Sequence, residues 1–135
     1  MRIFESYKTS ENRLPQRSYY IPQNKGAFTS LNGVWKFRFF DNDSELKHPI
    51  TKWSEIDVPS CWQTRGYECP NYTNKQYTLP LDPPFVPDDN PCGVYERTFD
   101  VKDINNKTYI VFEGISSFGV LYINDKYVGY TSGSH

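Results

Sequence analysis

From Gly33 the chain alternates large rings with charged side chains, so that Trp35, Phe37 and Phe39 occupy every second position and Lys36 and Arg38 lie between them. Successive side chains of a β-strand point to opposite faces, and this spacing predicts a strand with one wet face and one face that an opposing layer must cover. The rest of the composition agrees. Apolar residues make up only 37% of the 135, yet 17% are aromatic, with eleven Tyr and nine Phe, so the core has to be built from rings rather than from many aliphatics. Ten prolines would interrupt a long helix wherever it might run, which excludes an all-α fold. The length suits a single domain with a core of its own.

Further strands are predicted along the chain. Ile56-Asp57-Val58 forms a short one stopped by Pro59. Residues 93–101 alternate Tyr95, Arg97, Phe99 and Val101 against Val94, Glu96 and Thr98, and residues 108–113 put Ile110 and Phe112 on one face. Residues 119–123 and 126–130 meet across Asn124-Asp125, two residues that tolerate the positive φ of a two-residue hairpin. Short strands at this spacing make an antiparallel meander and predict a sandwich or barrel. Residues 1–29 are polar, carry Pro15 and Pro22 and show no period, so they read as an extended arm docked through Leu14, Tyr19, Tyr20 and Ile21 on a body at 30–135. Residues 60–91 hold six prolines but also Trp62, Tyr67, Tyr72, Tyr77 and Phe85, and so read as an ordered, packed loop region.

Composition also excludes several functions. A net charge of −1 with acids and bases interspersed offers no stripe for a nucleic acid or an anionic membrane. No apolar run reaches the length of a membrane span, and the opening residues lack the apolar stretch of a secretory signal, so a cytoplasmic protein is expected. Cys61, Cys69 and Cys92 are odd in number and without C-x-x-C spacing, which fits free thiols rather than a disulfide framework or a zinc site. His48 and His135 stand apart from any triad, and no two carboxylates are paired by spacing. Spacing alone therefore supplies no catalytic residue and no metal ligand.

A resemblance supplies more. Ser30-Leu31-Asn32-Gly33-Val34-Trp35-Lys36-Phe37 resembles the S-L-N-G-x-W-x-F opening of the sugar-binding domain in glycoside hydrolase family 2 β-galactosidases. Upstream, Asn12-Arg13-Leu14-Pro15 with Arg17-Ser18-Tyr19-Tyr20 is similar to the family's N-R-L-P-x-R-A-Y-Y segment. Downstream, Val58-Pro59-Ser60-Cys61-Trp62-Gln63 with Gly66-Tyr67 resembles V-P-S-N-W-Q-x-x-G-Y, and Tyr72-Thr73-Asn74 resembles the Y-T-N that follows. Pro83-Pro84-Phe85-Val86-Pro87, Asn90-Pro91, Gly93-Val94-Tyr95, Phe112-Glu113-Gly114 and Val128-Gly129-Tyr130 continue the series in family order. Cys61 stands where the family usually has Asn, and Asn124-Asp125 where Asn-Gly is common.

The resemblance implies an all-β, galactose-binding-like jelly-roll β-sandwich with an extended amino-terminal arm, incomplete at its carboxy-terminal end because family members continue past the position of His135. It implies a parent β-galactosidase that hydrolyses terminal β-D-galactosides such as lactose with retention, using two glutamates of a barrel domain beyond this chain. The chain itself is then expected to hold no catalytic residue, to shape one wall of the active site and to be inactive alone. Asn74 matches a family asparagine that contacts the galactosyl group, and its amide suits vicinal hydroxyls. Trp62, Tyr67 and Tyr72 could stack on a sugar but read better as rings packing the loop. Magnesium and sodium are implied for the parent enzyme and none for this chain; the expected partners are the substrate, the barrel domain and further copies in a homo-oligomer. The rival reading is a stand-alone carbohydrate-binding or structural module, or a fragment that complements a truncated partner.

Overall fold

The computed structural model describes residues 2–6, 8–15, 28–70, 82, 84–102 and 104–132. The architecture is all-β. Its strands, in chain order, are β1 Ser10–Glu11, β2 Gly33–Phe40, β3 Ser54–Val58, β4 Cys92–Glu96, β5 Phe118–Ile123 and β6 Lys126–Ser132, with short 3-10 turns at Ile3–Glu5, Asp43–Glu45 and Trp62–Arg65. They form two antiparallel three-stranded sheets, ordered β3-β2-β4 and β1-β6-β5. Each sheet lies in its own compact unit, the first in residues 26–102 and the second in residues 1–25 with 103–135. Among the described residues no helix is long and apolar enough to cross a membrane.

In the first unit the ring alternation does what it predicts. Trp35 lies opposite Ile56, Phe37 opposite both Ser54 and Tyr95, and Phe39 opposite Gly93, so the rings of β2 share one face with Ile56 and Tyr95. Phe37 is fully buried and Ile56 nearly so, while Trp35 is half-buried with its indole N–H donating to the Leu31 carbonyl at 2.7 Å. The other face carries Lys36, whose ammonium meets Glu96 at 2.6 Å across the ladder. Both partners are exposed, and such a pair contributes little to stability.

Two of the predicted strands need correction. The strand expected over 93–101 ends at Glu96, and Phe99 and Val101 stand exposed. Beyond Glu96 the ladder is replaced by a side chain, since the Arg97 guanidinium donates to the Val34 carbonyl. The strand expected over 108–113 is not formed, and Tyr109, Val111 and Phe112 are exposed with only Ile110 half-buried. Alternation says that a segment suits a pleated surface. It does not provide the neighbouring N–H and C=O groups, and among the described residues no strand pairs with this one.

In the second unit, β5 and β6 form the expected hairpin. Asn124 and Asp125 have φ of 50° and 61°, the two positive values a type I′ turn requires. The register then shifts between Leu121 and Tyr122, leaving Val128 as the extra residue of a bulge, and the Asn12 side-chain amide donates to the Val128 carbonyl at 2.7 Å. Glycine occupies φ near +60° with less strain than aspartate, although it also gains freedom in the unfolded chain. Asp125→Gly is therefore expected to stabilise the hairpin by about 0.5 kcal/mol, read as a higher urea midpoint with an unchanged slope.

The amino-terminal arm does more than lie over the body. Its residues Ser10 and Glu11 add a strand to β6 opposite Thr131 and Tyr130. The Ser132 amide donates to the Thr9 carbonyl at 2.7 Å, Arg13 donates to Thr131 Oγ1 at 2.6 Å and the Tyr130 hydroxyl donates to the Lys8 carbonyl at 3.2 Å. Tyr130 is buried and its ring stacks on Phe118 at 5.4 Å. Beneath this pairing Gly129 leaves no room for a side chain, because a Cβ there would lie 2.3 Å from the Glu11 carbonyl oxygen.

Candidate functional site

The segment after β3 holds most of the residues singled out by the sequence. Pro59 ends the strand, and Trp62–Arg65 make one 3-10 turn closed by Gly66 in the left-handed region at φ 83°, where glycine is at ease. The Gly66 and Tyr67 amides donate back to the Gln63 and Trp62 carbonyls at 3.3 Å. This reversal returns the chain onto the sheet.

Two rings fasten it there. Tyr67 packs edge-on against Phe37 with centroids 4.8 Å apart and lies 5.8 Å from Phe39, while Trp62 meets Phe39 edge-on at 5.7 Å and Phe37 at 6.3 Å. The Tyr67 hydroxyl donates to Ser54 Oγ at 2.9 Å, and Ser54 donates in turn to the Phe37 carbonyl at 2.8 Å. Gly93 makes the space for Trp62: a Cβ on it would come within 2.7 Å of the Trp62 and Phe37 rings. Both rings, half-buried, thus pack onto the sheet face of the first unit, which is the packing role expected of them, whereas Phe85 is exposed and Tyr72 and Tyr77 lie outside the described residues.

Polar groups complete the arrangement. Glu68 Oε2 accepts from the Trp62 indole N–H and from the Gln63 side-chain amide, each at 2.9 Å. Arg65 Nη2 stands 3.1 Å from Asp57 Oδ2, beside an open crevice of about 330 Å³ lined by Val34, Glu55, Ile56, Asp57, Arg65 and Tyr67. The other base of the long loop is tied to the turn after β2, where the Asn42 side chain donates to the Asp88 carbonyl and the Asp43 amide donates to the Asn90 carbonyl at 2.9 Å. Cys92 lies next to this turn. Burial first, and then the Asp43 and Glu45 carboxylates, push its thiol up from the ordinary cysteine range.

Asn74, the one residue expected to touch a sugar, lies outside the described residues, six positions after Glu68. Glu68 was not singled out by the sequence, because its two partners lie five and six residues away in an irregular segment with no period to flag them. All three cysteines are free thiols, and among the described residues no three His, Cys, Asp or Glu side chains gather into a group able to hold a metal.

Comparison with known proteins gives this geometry a context. The family model described as glycosyl hydrolases family 2, sugar binding domain, matches residues 28–135. A β-galactosidase of Kluyveromyces lactis is 41% identical over 140 residues, covering 94% of this chain and 14% of that protein. β-Galactosidases of Staphylococcus xylosus and Actinobacillus pleuropneumoniae are 36% and 37% identical, each covering 92% of this chain and 14% of the relative. The chain thus spans about one seventh of the length of these relatives.

Proposed function

This chain belongs to the sugar-binding domain of glycosyl hydrolases family 2, and from that membership we propose that it is part of a β-galactosidase acting on terminal non-reducing β-D-galactosides such as lactose. The observation that carries the proposal is identity of 36–41% to proteins named β-galactosidase over more than nine-tenths of the chain. In this reading the sheet β3-β2-β4 and the knot at 61–68 form a rigid base for the loop that bears Asn74, and that loop lines one wall of the active site. The Asn74 amide donates to and accepts from vicinal galactosyl hydroxyls, fixing the sugar for attack at its anomeric carbon.

A retaining reaction needs two carboxyl groups about 5–5.5 Å apart, one as nucleophile and one as acid/base. The proposal assigns both to glutamates of the remaining, barrel-bearing part of the intact polypeptide, and leaves this chain without hydrolytic activity of its own. Magnesium and sodium are proposed for that remainder too, and the role proposed for this chain runs through its side chains. A cytoplasmic location and a homo-oligomeric assembly are parts of the same proposal.

The test is Asn74→Ala in the intact polypeptide, assayed with a chromogenic β-galactoside. Loss of a hydrogen-bonding partner from a desolvated polar contact is expected to weaken binding by about 1–3 kcal/mol, seen as a raised KM with the melting temperature unmoved. An intact polypeptide without activity on β-galactosides overturns the substrate class. Unchanged kinetics in the variant reduce Asn74 to a loop residue.

A further inference from the structure

We propose that Asn32 is a site of spontaneous modification, where ring closure onto the Gly33 nitrogen converts the asparagine to aspartate and isoaspartate. Asn32 is the one asparagine of the chain that a glycine follows. Glycine has no Cβ to shield its main-chain nitrogen or to restrict the approach of the preceding side chain. Both residues are exposed. Among the described residues the Asn32 side-chain amide meets no hydrogen-bonding partner, and only its main-chain N–H is engaged, donating to Ser30 Oγ at 3.3 Å. Asn12 and Asn42 are held by comparison, their side chains donating to the Val128 and Asp88 carbonyls. Gly33 is also weakly tied. It makes the first pair of the β2–β3 ladder, opposite Val58, while the ladder to β4 begins only at Lys36, and the end of a ladder is where opening costs least.

In the step itself the Gly33 nitrogen gives its proton to hydroxide and attacks Cγ of Asn32. A new C–N bond closes a cyclic imide, the bond from Cγ to the side-chain nitrogen breaks, and that nitrogen takes up a proton and leaves as ammonia. Water then opens the imide at one of its two carbonyls. Opening at the side-chain carbonyl leaves aspartate in an ordinary main chain. Opening at the main-chain carbonyl leaves isoaspartate, with the main chain routed through Cβ and Cγ and one methylene longer. Nothing is oxidised or reduced. The glycine is fixed by the fold, because Gly33 has φ of 127°, a conformation that residues with a Cβ rarely adopt. The added methylene falls between Leu31 and Trp35, which are joined by the 2.7 Å bond from the indole N–H to the Leu31 carbonyl. The isoaspartate form therefore loses the spacing that holds the half-buried Trp35 ring at the start of β2.

The experiment ages the intact polypeptide in warm, mildly alkaline buffer and follows each asparagine by tryptic peptide mapping, with isoaspartate detected by enzymatic transfer of a labelled methyl group to its carboxylate. Residues 26–36 form one tryptic peptide, bounded by Lys25 and Lys36. That peptide is expected to exchange an amine for a hydroxyl about tenfold faster than any other asparagine-bearing peptide, a barrier lower by about 1.4 kcal/mol, with isoaspartate among the products. In Asn32→Gln, whose side chain has to close a larger and slower ring, the mass gain is expected to vanish. The aged parent is expected to exchange the amide hydrogens of residues 33–35 faster than fresh parent or aged Asn32→Gln. No gain at residue 32, a gain no faster than at other asparagines, or aspartate without isoaspartate overturns the proposal. Unchanged exchange in protein that carries isoaspartate overturns the consequence for Trp35. Mapping of the parent depends neither on the folding of the variant nor on the role of Asn74.

Discussion

Phe37→Ala is expected to destabilise this chain by about 3–5 kcal/mol, the range for emptying a buried aromatic site. Phe37 is the one large side chain among the described residues that is completely buried. Its ring meets Tyr95 at 4.7 Å, Tyr67 at 4.8 Å and Trp62 at 6.3 Å, so it is the common neighbour of a strand and of the knot beyond β3. Aromatic pairs of this kind add about 0.5–1.5 kcal/mol each beyond the area they bury. A loss near 4 kcal/mol is a large share of the 5–15 kcal/mol that holds an ordinary domain together. Urea denaturation followed by tryptophan fluorescence measures it, since Trp35 and Trp62 both lie in this unit. A cost below about 1 kcal/mol would mean that the neighbouring rings collapse into the vacated space.

Gly129→Ala is expected to cost about 2–3 kcal/mol, near the upper end for overpacking, and to act on the other unit. The added methyl group would sit 2.3 Å from the Glu11 carbonyl oxygen and 3.2 Å from Asn12 Cβ. The first of these is backbone and cannot swing aside as a side chain would, so the clash is expected to be relieved by lifting β1 from β6. That movement would break the Ser132 amide bond to Thr9 and the Arg13 contact with Thr131. Two readouts follow: faster hydrogen exchange at the Ser132 amide, and faster tryptic cleavage after Lys8 and Arg13. Unchanged exchange and cleavage would show that β6 gives way instead and keeps the arm in place.

Local chemistry was readable and long-range pairing was not. Trp35, Phe37 and Phe39 announced β2 because burial of one sheet face imposes a period of two, and Asn124-Asp125 announced the hairpin because few residues accept positive φ twice in succession. The same period at 108–113 misled, since a pattern records suitability and a strand also needs a partner. β1 was hidden for the opposite reason: two polar residues, Ser10 and Glu11, make no pattern at all, and what recruits them is a glycine and a bulge far along the chain. In the candidate site the rings of Trp62 and Tyr67 were legible as packing material, though which ring they would cover was not. Glu68 is one carboxylate among 16 acidic residues, distinguished only by where the turn at Trp62–Arg65 puts it.

The pairing of β1 with β6 also sets an order of events. Asn12 and Val128, joined by a hydrogen bond, are 116 residues apart, whereas Ser54 reaches Phe37 across only 17. Closing a loop of the longer kind costs about 4 kcal/mol of chain entropy, more than a two-residue strand can recover before its template exists. The hairpin of β5 and β6 has to be in place first. During synthesis at roughly 5–20 residues per second, residues 8–13 therefore wait on the order of ten seconds for β6 to emerge. A segment that leaves the ribosome well before its partner strand is protected late, and its exposure to proteases and chaperones is governed by translation speed as much as by the stability of the finished sheet.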